Sequence, residues 1–310
     1  VIANEYTNTN TGNVSLESAS VFLYSQGKAN ITNNRNINSN GADRLVAFYI
    51  KNGGIFKNTG TLDFSNGKGN LGIYALGSIA TNEQNGVIIV GKTDDIELAI
   101  GRIYDDKDKI VYGIGMAADN GGHIVNDGEI RVFGNKSIAM YGKGMGTTVE
   151  NTVNGKIYLD GSKATTTDKI QSMTGVYVDE GATFINRGDI RTTEAYAGKN
   201  GKVNTNVSGL VGVAVMNGST LENHGNIEID ANNSYGVVIR GKRDTNGNIE
   251  KYATIKNYGN IKVRGSGTYG ISWKDVSESD IRELEKQINS KIISDPSGHE
   301  IGQASWTDKD

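Results

Sequence analysis

One short phrase returns nine times along this chain: an Asn, then a Gly, then two apolar residues on alternate positions. The clearest copies are Phe56-x-Asn58-x-Gly60-x-Leu62-x-Phe64, Ile124-x-Asn126-x-Gly128-x-Ile130-x-Val132, Leu221-x-Asn223-x-Gly225-x-Ile227-x-Ile229 and Ile255-x-Asn257-x-Gly259-x-Ile261-x-Val263. Self-similarity at a period of about 20–50 residues marks a solenoid. The phrase reads as strand, turn, strand, so the repeating unit is β. It constrains the architecture far more tightly than the ligand.

The nine Asn fall at Asn10, Asn33, Asn58, Asn82, Asn126, Asn151, Asn186, Asn223 and Asn257, with successive spacings of 23, 25, 24, 44, 25, 35, 37 and 34. The shortest spacings match one turn of a three-sided parallel β-helix, three short strands and three corners. Two copies stretch the corner by two residues, Asn82-Glu83-Gln84-Asn85-Gly86 and Asn151-Thr152-Val153-Asn154-Gly155, and one has Arg35 in place of Gly. Between copies lies a strand led by Gly or a small residue: Gly72-Ile73-Tyr74-Ala75, Ser137-Ile138-Ala139-Met140, Gly175-Val176-Tyr177-Val178, Gly212-Val213-Ala214-Val215, Gly236-Val237-Val238-Ile239 and Gly270-Ile271-Ser272-Trp273. Period-two alternation buries one face of each strand and wets the other. The repeat Gly is expected to supply positive φ at a sharp corner. The Asn is expected to bond a nearby backbone group or stack on its equivalent one rung away, about 4.8 Å distant. These are structural roles, and no repeat Asn is assigned as a site.

Composition excludes several classes. With 42 Gly and one Pro, abundant Asn and Thr, and 36% apolar residues, the chain lacks the signature of disorder. A formal net charge of −3 and scattered basic residues leave no polyanion footprint, so nucleic acid is not expected as a partner. There is no Cys, which in a secreted protein means stability without disulfides and suits export unfolded. No apolar run approaches the length of a membrane span, and no signal peptide is visible at Val1. The chain is expected to be a fragment of something longer.

Three rungs swell at one corner, between the strand after the repeat Gly and the Gly-led strand: 91–110, 161–172 and 192–209. Insertions at one solenoid corner line up along one side, often the binding side. The first reads as a hairpin, Ile100-Gly101-Arg102-Ile103-Tyr104 and Lys109-Ile110-Val111-Tyr112 flanking an acidic tip. The alternative is that 98–103 is a cryptic Gly-led strand and the 44-residue spacing holds two rungs. The candidate binding residues on this surface are Tyr104, Asp105, Asp106, Lys107, Asp108, Tyr112 and Tyr196. A fourth insertion, 240–253, leaves from another corner and carries Asn246-Gly247, a favoured two-residue hairpin turn.

The carboxyl-terminal stretch changes period. Ser277-Glu278-Ser279-Asp280 reads as a helix start with an approximate capping box, Ile281, Leu284, Ile288 and Ile292 recur at helical spacing, and Ser294-Asp295-Pro296-Ser297-Gly298 ends it. The chain thus divides into a parallel β-helix of about nine or more rungs over 1–276 and a helix and turn over 277–310, capping or packing on the solenoid.

Chemistry is sparse. His123, His224 and His299 show no metal spacing, and no nucleophile elbow or phosphate-binding loop stands in the right context. No metal or cofactor is expected. Many β-helices cleave polysaccharides, but Asp94, Asp95, Glu97, Asp105, Asp106 and Asp108 sit in one loop, without matching carboxylates on neighbouring rungs. The chain is therefore not expected to be an enzyme.

The phrases Phe184-Ile185-Asn186-Arg187-Gly188-Asp189-Ile190 and Val211-Gly212-Val213-Ala214-Val215 with Leu221-Glu222-Asn223-His224-Gly225-Asn226-Ile227 resemble the passenger of a type V autotransporter. They are most similar to the large fusobacterial outer-membrane adhesins and, at a distance, to vacuolating-toxin passengers. The resemblance spans about 10–273. It implies an all-β, right-handed parallel β-helix with loop and hairpin insertions and one C-terminal helix, exported through a C-terminal β-barrel that also tethers it to the outer membrane. It also implies a cell-surface virulence factor that adheres to a host glycan or protein receptor, to other bacteria, or to both. The alternatives are a toxin-like passenger and a polysaccharide-acting enzyme. The family has no short site motif to carry across.

Overall fold

The computed structural model describes residues 5–7, 14–16, 20–91, 102–104, 110–134, 136–161, 170–171, 173–192, 204–294 and 299–303. Three parallel sheets run the length of the molecule, and each turn of chain adds one strand to each sheet. The Asn sheet holds nine strands from Glu5–Thr7 to Thr254–Asn257, each from Asn30–Asn33 onward ending at a repeat Asn. The third sheet follows the Asn corner, and the Gly-led sheet closes the turn with ten strands from Val21–Gln26 to His299–Gln303. This is the three-sided β-solenoid expected from the spacing.

Alternation along every strand builds the core. Inward columns run Phe56, Ala80, Ile124, Val149, Phe184, Leu221, Ile255 on the Asn sheet and Leu62, Ile88, Ile130, Ile157, Ile190, Ile227, Ile261 on the third sheet, all at most 4% exposed. Burying each large side chain contributes about 1.5–3 kcal/mol, so the stability accumulates rung by rung.

The Asn corner is held by an unbroken amide ladder. Nδ2 of Asn33 donates to Oδ1 of Asn58 (2.8 Å), and the same bond repeats from Asn58 to Asn82, Asn126, Asn151, Asn186, Asn223 and Asn257 at 2.7–2.9 Å. Several Nδ2 groups donate also to the carbonyl at the following Gly, as Asn58 does to Gly60 (3.0 Å). Both expected roles of the Asn are therefore filled at once. All eight are essentially inaccessible to solvent.

The repeat Gly does something else than expected. Gly60, Gly86, Gly128, Gly155, Gly188, Gly225 and Gly259 all keep negative φ. A Cβ on Gly225 would lie 2.1 Å from the Gly188 carbonyl oxygen, and one on Gly259 2.0 Å from that of Gly225. Glycine is needed here because successive corners stack backbone on backbone. Positive φ occurs instead at the corner from the Gly-led to the Asn sheet, in pairs such as Asn120-Gly121 (53° and 74°) and Asn217-Gly218 (50° and 74°).

Strand pairing fixes the register and the insertions. Leu71–Leu76 pairs directly with Ile114–Asp119, and Asn82 with Asn126, so the 44-residue spacing is one rung and not two. Arg102–Tyr104 and Ile110–Tyr112 form the expected antiparallel ribbon. On the Gly-led sheet Gly72 is matched by Gly115 and Ala139, which shifts the assigned Ser137-led copy by two residues and adds one the motif missed. The 242–251 hairpin closes with Gly247 N–H donating to the Asp244 carbonyl and Asp244 N–H to that of Asn248. With Gly247 at φ 84° and Asn246 at negative φ, this is a three-residue turn and not the expected two-residue one.

The helix α1, Glu278–Lys291, starts where expected: the Ser277 hydroxyl accepts from Asp280 N–H (3.2 Å) and its carbonyl from Ile281 N–H. α1 packs on Thr254–Asn257, with Leu284 buried, and so occupies the position of the next Asn-sheet strand. The chain then does something the sequence reading did not foresee. Ile292–Ser294 joins the third sheet beside Ile261–Val263, and His299–Gln303 joins the Gly-led sheet beside Tyr269–Trp273. No helix among the described residues is long and apolar enough to cross a membrane.

Candidate functional site

The insertions mark a corner, and the third sheet leads into it. Its strands Val87–Val90, Lys156–Leu159 and Asp189–Thr192 each run straight into one of the three insertions. Of the candidate residues, Tyr104 and Tyr112 lie on the antiparallel ribbon, opposite Ile110 and Arg102. Their side chains lie outside the described residues, as do Asp105, Asp106, Lys107, Asp108 and Tyr196.

The outer face of the third sheet carries two rows of side chains. The first runs Val87, Glu129, Lys156, Asp189 and the second Ile89, Arg131, Tyr158, Arg191, each partner one strand from the next. In the second row Tyr158 lies between two guanidinium groups: Arg131 is 5.1 Å and Arg191 5.3 Å from its ring centroid. Contacts of this kind contribute about 0.5–1 kcal/mol each at exposed positions. Arg191 Nη2 also donates to the Tyr158 hydroxyl (3.3 Å).

The two arginines differ in what their donors reach. Arg131 donates from Nε and Nη2 to Glu129 Oε1 (3.1 and 2.8 Å) and from Nη1 to Asp160 Oδ2 (2.7 Å), a carboxylate only 3% exposed. Burial pulls the Arg131 guanidinium down, but its bonds to Glu129 and Asp160 outweigh this and hold it above its ordinary value. Arg191 is raised chiefly by its bond to Tyr158, against partial burial. Both stay cationic at any pH the fold meets.

Beside the first row, the Asn corner opens into a cleft of ≈ 570 Å³. Its walls are the two stretched corners, through Gln84, Asn85 and Val153, Asn154; its floor is the intervening short corner at Gly128. The walls are two rungs apart, about 9.6 Å at 4.8 Å per rung. Glu129, Lys156 and Asp189 line the side that continues onto the third sheet. Asp127 accepts from the Thr152 hydroxyl and from Asn154 Nδ2 (3.2 Å), fixing one wall. The cleft and the arginine–tyrosine column make one polar surface between the Asn corner and the insertion corner.

This surface lies within the part of the chain that comparison with known families picks out. Residues 64–189 match the family model of the BigA third pectate lyase-like domain. The match takes in the cleft, Arg131 and Tyr158, and stops two residues short of Arg191. Similarity to a pectate lyase-like domain agrees with the three stacked parallel sheets. Neither a curated protein nor a solved structure matches the chain significantly.

The sequence reading missed this surface, although its signals were present. Aligning the copies by their Gly (Gly128, Gly155, Gly188) places Arg131, Tyr158 and Arg191 in one column, and the stretched corners flank a short one.

Proposed function

We propose that the chain is a surface-exposed adhesin passenger segment that attaches to host cells, to other bacteria, or to both. The observation that carries this reading is the continuous polar surface on one side of a rigid solenoid, running from the corner cleft to the edge where the insertions leave. The similarity to a domain of BigA, an autotransporter-like adhesin, supports it. In this reading a host glycan or protein receptor is the partner, and a β-barrel elsewhere in a longer protein holds the segment at the bacterial outer membrane.

The surface is read as binding without hydrolysing. Glycoside hydrolysis needs one protonated and one ionised carboxyl group facing the scissile bond. Here Glu129 is tied to Arg131, Asp127 to Thr152 and Asn154, and Asp189 accepts from Asn226 Nδ2 (2.9 Å).

The test is binding of the labelled chain to human epithelial cells, immune cells and partner bacteria, with galactose-type sugars as competitors. Saturable binding to any of them is expected. Sugar inhibition assigns a glycan receptor and sugar resistance a protein one. Absence of binding to all of them, or release of saccharide products on incubation with polysaccharides, overturns the proposal.

A further inference from the structure

We infer that the cleft and the adjoining Arg131–Tyr158–Arg191 column bind an anionic glycan, whose carboxylate or sulfate is held between Lys156 and Arg191. This deepens the adhesive reading and rests on it for its biological setting.

Every carboxylate named above has an internal donor: Glu129 and Asp160 from Arg131, Asp127 from Thr152 and Asn154, and Asp189 from Asn226. Two cations are left over. Lys156 is exposed and makes no ion pair among the described residues. Arg191 donates to the Tyr158 hydroxyl and hydrogen-bonds no carboxylate, although Asp189 and Glu228 stand near enough to attract it. The surface therefore offers free cationic donors although its four carboxylates outnumber its three cations.

Geometry brings the two cations to one point. Lys156 stands opposite Asp189 on the neighbouring strand, and Arg191 is two residues further along. At about 4.8 Å between strands and 6.7 Å per two residues, their Cα atoms are about 8 Å apart, within joint reach of one oxyanion. Stacking on Tyr158 holds the Arg191 plane in place before any ligand arrives, so less rotamer entropy is lost on binding. A planar fork of donors suits a carboxylate or sulfate.

The size and polar lining of the cleft favour an anion carried on a glycan over a free inorganic ion. At ≈ 570 Å³ it is far larger than an inorganic anion fills and lies within the ordinary range of ligand sites. Gln84, Asn85 and Asn154 present amides, each with donors and an acceptor, to whatever extends from Lys156 into it. Paired donors and acceptors are what vicinal hydroxyls need.

The experiment titrates the whole 310-residue chain, by calorimetry, with three saccharides of equal length: an oligouronate, a heparin-derived sulfated oligomer and a neutral galactan oligomer. At least one anionic saccharide is expected to bind, with affinity falling as salt rises, and the neutral one to bind at least tenfold more weakly. The double variant Lys156→Gln, Arg191→Gln is expected to lose about tenfold or more in affinity while keeping a cooperative urea transition, its midpoint only slightly lowered by loss of the Arg191–Tyr158 contact. Lys286→Gln, on α1 and remote from the cleft, is expected to bind as the parent does. The two anionic arms separate carboxylate from sulfate. Equal binding of the neutral oligomer, parent-like binding by the double variant, or no anionic binding overturns the inference. A parent chain that binds the glycan but no cell overturns adhesion alone; cell attachment without glycan binding overturns the glycan assignment alone.

Discussion

Replacing Asn186 in the middle of the amide ladder gives a quantitative test of what holds the core together. Asn186 accepts from Asn151 Nδ2 (2.9 Å) and donates to Asn223 Oδ1 (2.8 Å), with no solvent access. Asn186→Ala orphans the Asn223 oxygen, while Asn151 keeps only long contacts to the Gly155 and Asp189 carbonyls (3.3 and 3.5 Å). An orphaned buried polar group costs about 1–3 kcal/mol, so the loss should be about 3 kcal/mol. Asn186→Asp is more telling. A protonated Asp has one donor and one acceptor, which closes the ladder again; an ionised one turns two acceptors face to face in a dry core. Burial therefore raises its folded-state pKa above the unfolded value of about 3.9. A raised folded pKa means stability is fully present below the unfolded pKa and is lost as pH rises, by about 1.4 kcal/mol per unit. Urea denaturation followed by circular dichroism between pH 4 and 8 should find the Asp variant more stable than the Ala variant at pH 4. By about pH 6, after a loss of about 3 kcal/mol, the order should be level or reversed. Two variants that stay parallel across that range would refute the ladder as a source of stability.

Three further outcomes are expected. Gly225→Ala should cost about 3 kcal/mol because its Cβ meets the Gly188 carbonyl at 2.1 Å, whereas Gly121→Ala, in open space at φ 74°, should cost about 1–2 kcal/mol; urea midpoints rank them. Ser277→Ala should cost about 1 kcal/mol of local stability, seen as faster hydrogen exchange at the start of α1 and unchanged exchange at Val211–Val215. Deleting 103–110 should leave the far-ultraviolet spectrum and urea midpoint intact, since the ribbon adds no strand to the three sheets, and weaken cell attachment; unchanged attachment removes that loop from the binding surface.

The architecture was legible because a solenoid repeats its physics. Among the described residues the repeat Asn answers for a buried corner eight times over, and period-two alternation names the inward columns. The role of the repeat Gly was not legible, because a missing Cβ fits positive φ and close stacking equally well and only neighbouring rungs decide. Gly115 escaped notice for a related reason: its strand, Ile114–Asp119, follows an insertion that hid the spacing. The return of the chain to both sheets after α1 had no repeat Asn to announce it. The arginine–tyrosine column lies on the wet face, where the apolar repeat imposes nothing on Arg131, Tyr158 and Arg191.

The amide ladder also has a sense of direction. Each of its seven bonds points the same way, from a donor on one rung to an acceptor on the next toward the carboxyl terminus. Turning any single amide over would set donor against donor on one side and oxygen against oxygen on the other. The choice made at Asn33 is thereby transmitted to Asn257, about 34 Å away at 4.8 Å per rung. Aligned dipoles polarise one another, so a rung added at either end finds its amide orientation already chosen. The ladder is a row of switches wired to a single setting.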